Sequence, residues 1–196
     1  MLDLSNPESL RRDHHYECQY AGRSWQFETT WGLFSPKALD EGTDLLMEHM
    51  AVKSTDRSLD LGCGYGPMGL AMAAQAPQGH CTLVDKDFVA VDYAQRNAKR
   101  NGIENVSVYL SNGFSHVPMT PKFDLVASNL PAKVGKELFY LYFHDAKVRL
   151  DEGGRFYVVS ITGLRKFVER AFKEVFGNYD KIKQGKTYTV AMAYKQ

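Results

Sequence analysis

Cysteine is scarce and unpatterned in this chain. Cys18, Cys63 and Cys81 are an odd number with no Cys-x-x-Cys pair, which excludes a disulfide framework and points to a reducing, cytoplasmic setting. His49, His80, His116 and His144 show no paired ligand spacing, so no metal is expected. No apolar run reaches the length of a membrane span and the N-terminus carries no secretory pattern, so no membrane partner is expected. Net charge is nearly absent at +1, which alone predicts no polyanionic ligand. Internal repeats and low-complexity linkers are missing too. What remains is 196 residues, 44% hydrophobic and 24% charged, the balance of one globular domain with a sizeable core. The near-zero total conceals an asymmetry: residues 1–120 carry 10 basic and 15 acidic side chains, residues 121–196 carry 14 and 8. A basic C-terminal part is compatible with RNA contact and equally with an ordinary solvated surface.

Hydrophobic periodicity supplies the organisation. Tyr16, Cys18 and Tyr20, then Trp25 and Phe27, alternate with polar residues around Ala21-Gly22-Arg23-Ser24, the pattern of a β-hairpin. Residues 36–51 read as a helix with Ser35 as N-cap and Pro36 in its first turn. From residue 58 apolar strands (58–61, 80–85, 106–110, 123–128, 154–160) alternate with helical segments (67–76, 88–100, 135–149, 164–176), and two last strands surround Gln184-Gly185. Such alternation predicts an α/β fold with a mostly parallel seven-stranded sheet, covered on both faces, whose last strand is antiparallel. Residues 1–52 are expected to pack as hairpin and helix on a core of residues 53–196, together one structural domain. Met47, Met50, Met68 and Met72 fit helix packing.

The densest local signal is Leu59-Asp60-Leu61-Gly62-Cys63-Gly64-Tyr65-Gly66-Pro67, a strand running into alternating glycines and a helix. Glycines let the backbone turn tightly and approach a ligand. Asp85 follows at the end of the next strand, where an acid grips ribose hydroxyls. The third glycine comes one residue earlier than in the nicotinamide fingerprint. Asp60, two residues before the first glycine, suits a ligand ammonium better than a pyrophosphate. The pattern Asp-x-Gly-x-Gly-x-Gly resembles that of class I S-adenosylmethionine enzymes, which implies S-adenosylmethionine as cofactor, with a glycine turn serving chain reversal alone as the plain alternative.

The strand Phe123–Ser128 runs directly into Asn129-Leu130-Pro131-Ala132. Asn129 offers a carbonyl acceptor, and Pro131 lacks an N–H and biases residue 130 toward an extended conformation. The Asn129 side-chain oxygen and the Leu130 carbonyl then form an acceptor pair suited to a planar exocyclic amine. Holding both amine hydrogens raises electron density on nitrogen and favours in-line attack on a sulfonium methyl without a strong base. Asn129, Leu130 and Pro131 are therefore the expected catalytic set, with an Asn-x-Pro turn as the plain alternative.

These segments, with Trp31-Gly32-Leu33-Phe34-Ser35, Ala94 through Gly102, Ser111-Asn112-Gly113-Phe114 and Asn129 through Glu137, resemble the small-methyltransferase domain family over residues 15–194. Its members include small-subunit ribosomal RNA guanine-N2 methyltransferases. The resemblance implies a cofactor set of Asp60, Gly62, Cys63, Gly64, Gly66, Asp85, Lys86, Asn112, Gly113 and Asn129. The three glycines would line the methionine moiety, Asp85 would bind the ribose, and Asn112 would meet the adenine amine. Phe34 and Ser35 would border the target pocket, and Lys133 and Lys136 flank the catalytic loop in position for phosphate contact. The substrate implied is an unpaired guanine of ribosomal RNA. Two departures stand out. Leu130 replaces a proline, as in adenine-N6 dimethyltransferases. Ala132 offers no ring to stack on a base, leaving Phe34 and Phe114 as candidates; both read equally as core residues, and for Phe114 the core reading is slightly the better. RNA adenine N6, a protein glutamine amide and a catalytically silent cofactor-binding module are the alternatives. Arg165, Lys166, Arg170 and Lys173 form a basic helix face, read by default as solvated.

Overall fold

The structure, a computed structural model, describes residues 6–132 and 134–196. A short helix α1 (Pro7–Leu10) precedes a hairpin of β1 (His14–Tyr20) and β2 (Arg23–Thr29), and α2 (Glu41–His49) leads to the sheet. The alternating part is β3 (Arg57–Leu61), α3 (Pro67–Gln75), β4 (His80–Asp85), α4 (Phe88–Arg100), β5 (Val106–Leu110), β6 (Phe123–Asn129), α5 (Lys136–Arg149), β7 (Leu150–Ile161) and α6 (Arg165–Phe176). The chain closes with β8 (Asp180–Gln184) and β9 (Tyr188–Tyr194). The seven-stranded sheet has the order β5-β4-β3-β6-β7-β9-β8, and β9 runs antiparallel to both of its neighbours. This is the architecture expected from the strand–helix alternation.

Period-two alternation sorts the strand side chains onto two cores. Leu83, Leu125, Ala127, Tyr157 and Val159 face the hairpin, α2, α3 and α4, while Val84, Val126, Phe156 and Val158 face α5 and α6. The second face is rich in phenylalanine: Phe143, Phe156, Phe172 and Phe176 meet edge-on or tilted at centroid distances of 4.7–6.0 Å.

The hairpin is held by an unusual use of asparagine. Asn97 and Asn101, one turn apart on α4, stand against the free edge of β2. Each side-chain oxygen accepts from a β2 amide, Glu28 N at 2.8 Å and Gln26 N at 3.0 Å. Each side-chain nitrogen donates back to the carbonyl of the same residue at 2.9 Å. Two carboxamides thus imitate a neighbouring strand and satisfy backbone groups that an edge leaves unpaired. Asn97 also donates to the Tyr65 carbonyl at 2.9 Å, which links the hairpin to the glycine loop.

One expectation fails. The second helix starts at Glu41 rather than 36, and its N-cap is Asp40, whose carboxylate accepts from Thr43 N at 2.9 Å. Ser35 instead takes a left-handed conformation (φ +47°) and its hydroxyl donates to the Ala38 carbonyl. A left-handed residue lacks the extended backbone of an N-cap, and the carboxylate five residues later accepts the orphan amide instead. No helix among the described residues is long and apolar enough to cross a membrane.

Candidate active site at the carboxyl edge of the sheet

Strands β4, β3 and β6 are parallel neighbours, so their C-terminal ends open on one edge. The chain leaves β3 toward β4 and β5 and later returns on its other side as β6, making the β3/β6 boundary the point where ligands settle in open α/β sheets.

At the end of β3 the amides of Gly62 and Cys63 both donate to the Val84 carbonyl at 2.9 Å, pinning the loop to β4. Gly62 (φ +79°) and Gly64 (φ +54°) have left-handed backbones, and a Cβ on either would meet no atom within 4 Å. Gly66 (φ +99°) differs: a Cβ there would lie 3.4 Å from Ala94 Cα and 3.3 Å from Leu70 Cδ1. The first two glycines open onto space and the third allows α3 and α4 to pack. Pro67 takes the first helical position of α3. Cys63 is buried, and burial pushes its thiol pKa well up.

Asp60 lies beneath this loop, fully buried. Its Oδ2 accepts from Gly69 N at 2.7 Å, while Oδ1 has no partner among the described residues. Burial pushes its pKa up to about 7, with the charge of Asp85 adding and the Gly69 bond opposing. Asp85, half-buried at the end of β4, accepts from Gly64 N and from Asp87 N, both at 2.9 Å, and so braces the glycine loop. Lys86 beside it is exposed. Past β5, Asn112 is exposed and Gly113 (φ +59°) faces the Tyr142 ring, 2.9 Å from where its Cβ would be. Burial raises the Tyr142 pKa and the Asp85 charge adds to it, which puts this α5 ring on the same side as the acid. Sequence patterning carried no sign of Tyr142.

At the end of β6, Ser128 donates to the Leu61 carbonyl at 2.7 Å, joining the two strand ends. Leu130 is buried and its N–H donates to Val159 O at 2.9 Å; Pro131 is exposed. Asn129 is half-buried. Its Nδ2 donates to Asp40 Oδ2 at 2.7 Å and to Thr43 Oγ1 at 3.0 Å, so both amide hydrogens point into the start of α2. Nothing donates to Asn129 Oδ1 among the described residues. Asp40 and Thr43 escaped the sequence reading because they lie 89 and 86 residues away. The only local signal was Asp40 itself, an N-cap type before a helical pattern.

Trp31 (61% exposed) and Phe34 (65% exposed) project from the loop between β2 and α2. That loop is anchored to the glycine loop: Tyr65 OH donates to the Ser35 carbonyl at 3.2 Å and lies 2.7 Å from Tyr16 OH. Phe114 is buried in the second core, so it offers no face to a base. Lys136 is exposed at the start of α5 with Nζ 5.6 Å from the Phe167 ring centroid. Lys133 lies outside the described residues. On α6, Lys173 pairs with Glu169 at 2.7 Å and Arg170 with Glu174 at 3.7 Å, which dilutes the basic face.

Residues 24–192 match the family model "Methyltransferase small domain". The chain is 30% identical over 176 residues to the uncharacterized protein YbxB of Bacillus subtilis (strain 168), covering 88% of this chain and 87% of that one. It is 32% identical over 164 residues to ribosomal RNA small subunit methyltransferase C of Haemophilus influenzae (strain PittGG), covering 78% of this chain but 49% of the relative. A solved structure titled T. thermophilus 16S rRNA N2 G1207 methyltransferase (RsmC) in complex with AdoMet and guanosine superposes with a TM-score of 0.85 at 26% identity. That match covers 95% of this chain and 51% of that one. The chain thus spans about half the length of the ribosomal RNA methyltransferases it matches. A ribosomal protein L11 methylase from Lactobacillus delbrueckii subsp. bulgaricus (TM-score 0.65, 21% identity, 84% of each chain) shares the fold.

Proposed function

We propose that this chain, which belongs to the methyltransferase small domain family, is an S-adenosylmethionine-dependent methyltransferase of ribosomal RNA whose target is the exocyclic N2 amine of a guanine. The family membership and the guanosine-bound neighbour support the class. The observation that carries the chemistry is the state of Asn129: both amide hydrogens are engaged by Asp40 and Thr43, which leaves Oδ1 as the amide's acceptor, with no donor to it among the described residues.

The residues present fit the cofactor. The unfilled space over Gly62 and Gly64 admits its close approach to backbone, and the unpartnered Asp60 Oδ1 is a buried acceptor open to an ammonium. Asp85 would hold the ribose and the segment Asn112-Gly113 would border the base, with Tyr142 packed behind Gly113. When bound, S-adenosylmethionine supplies an electrophilic methyl on a positively charged sulfur. Asn129 Oδ1 and the Leu130 carbonyl would accept the two hydrogens of the substrate amine, orienting its lone pair and drawing off positive charge as the new bond forms. Pro131 has no N–H and would not draw its neighbours into a helical turn. No side chain near Asn129 need be a strong base, because the nitrogen proton becomes acidic as the bond forms. Phe34 and Trp31, on the loop tied to Tyr65, offer rings for stacking an unpaired base.

The test is methyl transfer from labelled cofactor to ribosomal RNA and to assembled small subunits taken from cells lacking the protein, followed by mass spectrometry of the nucleosides. N2-methylguanosine is the expected product. Methylated adenosine, or label found only in protein, would replace the guanine reading.

A further inference from the structure

An asparagine amide is nearly symmetric in shape, so nothing in its own bonding decides whether oxygen or nitrogen faces the reaction edge. At Asn129 the decision is made by its neighbours. Thr43 Oγ1, 3.0 Å from Nδ2, is indifferent, since a hydroxyl donates or accepts. Asp40 Oδ2, 2.7 Å away, is not: an ionised carboxylate only accepts. A reversed amide would bring two acceptors face to face at that distance.

We infer that Asp40 is a positioning residue that fixes the sense of the Asn129 amide, and so makes the site accept from amines and refuse substrate atoms that themselves accept, such as a guanine O6. This rests on the reading of Asn129 as the group that meets the target amine.

Asp40 is itself held in place. The same Oδ2 accepts from Thr43 N at 2.9 Å as the cap of α2, where the helix terminus favours a negative charge. The Tyr188 hydroxyl on β9 lies 3.4 Å from Oδ1. A Cβ on Gly42 would sit 3.0 Å from both Oδ2 and the Tyr188 ring, so a larger residue there would press on the carboxylate. One carboxylate thereby starts a helix and orients an amide on a strand 89 residues away in sequence.

The test uses variants that keep the cap. Asp40→Asn preserves size and capping, and Asp40→Ser preserves capping without reach to Asn129. Both are expected to lower kcat by about 10- to 100-fold, the worth of a charged hydrogen bond. The dissociation constant for S-adenosylmethionine should stay within about 3-fold and the thermal midpoint within about 2 °C. Wild-type kcat in both variants overturns the inference, because a carboxylate serving only the helix would be replaced at no loss of turnover. A second readout needs no substrate. The Asn129 side-chain NH₂ resonances, assigned by their loss in Asn129→Ala, should move in Asp40→Asn. Resonances that stay in place overturn the inference even if wild-type protein methylates guanine. Resonances that move while wild-type protein modifies no RNA uphold it and remove the substrate reading alone.

Discussion

The two edges of the sheet treat their carboxylates in opposite ways. At the amino edge Asp56, Asp124 and Asp151 each meet a cation. Asp56, buried, pairs with Arg155 at 2.6 Å. Arg57 grips Asp124 through Nε at 3.1 Å and Nη2 at 3.2 Å and reaches Asp151 at 2.6 Å. At the carboxyl edge Asp40, Asp60 and Asp85 bond to backbone N–H groups, an amide and a hydroxyl, and none has a cation among the described residues. The same strands therefore begin in ion pairs and end in carboxyl groups that no cation meets among the described residues. Hydrogen bonds hold those acids in place without cancelling their field, which leaves an edge suited to a ligand that brings positive charge. The consequence shows in titration. Burial pushes Asp60 up to about 7, whereas at Asp124 burial pushes up but the Arg57 bonds and charge outweigh it, and the pKa falls below the ordinary carboxylate value.

The sharpest way to break this contrast is at the buried pair. Arg155→Met leaves the Asp56 carboxylate buried without its cation and should lower stability by about 3–5 kcal/mol in denaturant titration. Methyl transfer per folded molecule should be unchanged, and a fall in kcat would mean that the edges are not separable. Asn129→Ala is the converse case. Turnover should fall at least ~100-fold, about 2.7 kcal/mol of barrier, while cofactor affinity measured calorimetrically stays within about 3-fold. Next in size is Asp60→Asn. The folded-state pKa is raised from 3.8 to about 7, so the native protein holds a proton that the unfolded chain releases, and wild-type stability drains away as pH rises toward 7. The stability of the variant relative to wild type should therefore rise by about 2 kcal/mol between pH 5 and 8; a constant difference would show that Asp60 is ionised throughout. The sign reverses at Asp124, whose contribution is present above the ordinary carboxylate pKa and lost as pH falls. Smallest is Asp151→Asn, which removes a pair whose side chains are 40% and 45% exposed and should change stability by less than about 1 kcal/mol.

Much of the fold and part of the site were legible as local patterns. Glycine at 62, 64 and 66 needs only its own backbone to be recognised, and Asp85 was found by its distance from them. The strand–helix alternation foretold the sheet and its antiparallel last strand because period 2 and period 3.6 are written within a dozen residues. Ser35 misled because Ser-Pro is a strong helix-start signal, and only the left-handed backbone of Ser35 within its turn removes it. Phe114 was ambiguous because an aromatic side chain serves a core and a stacking face alike. Asn97 and Asn101 belonged to a recognisable family segment, yet their work as a substitute strand for β2 involves partners 69 and 75 residues distant.

Order along the chain was enough for the strands, the glycine loop, the acid beyond it and the asparagine after the fourth core strand, because each depends on backbone conformation and spacing between near neighbours. The sense of the Asn129 amide, the cation-free state of the carboxyl edge and the seat of Asp40 were decided by folding. Each is a relation between groups that only the assembled sheet brings within hydrogen-bond distance.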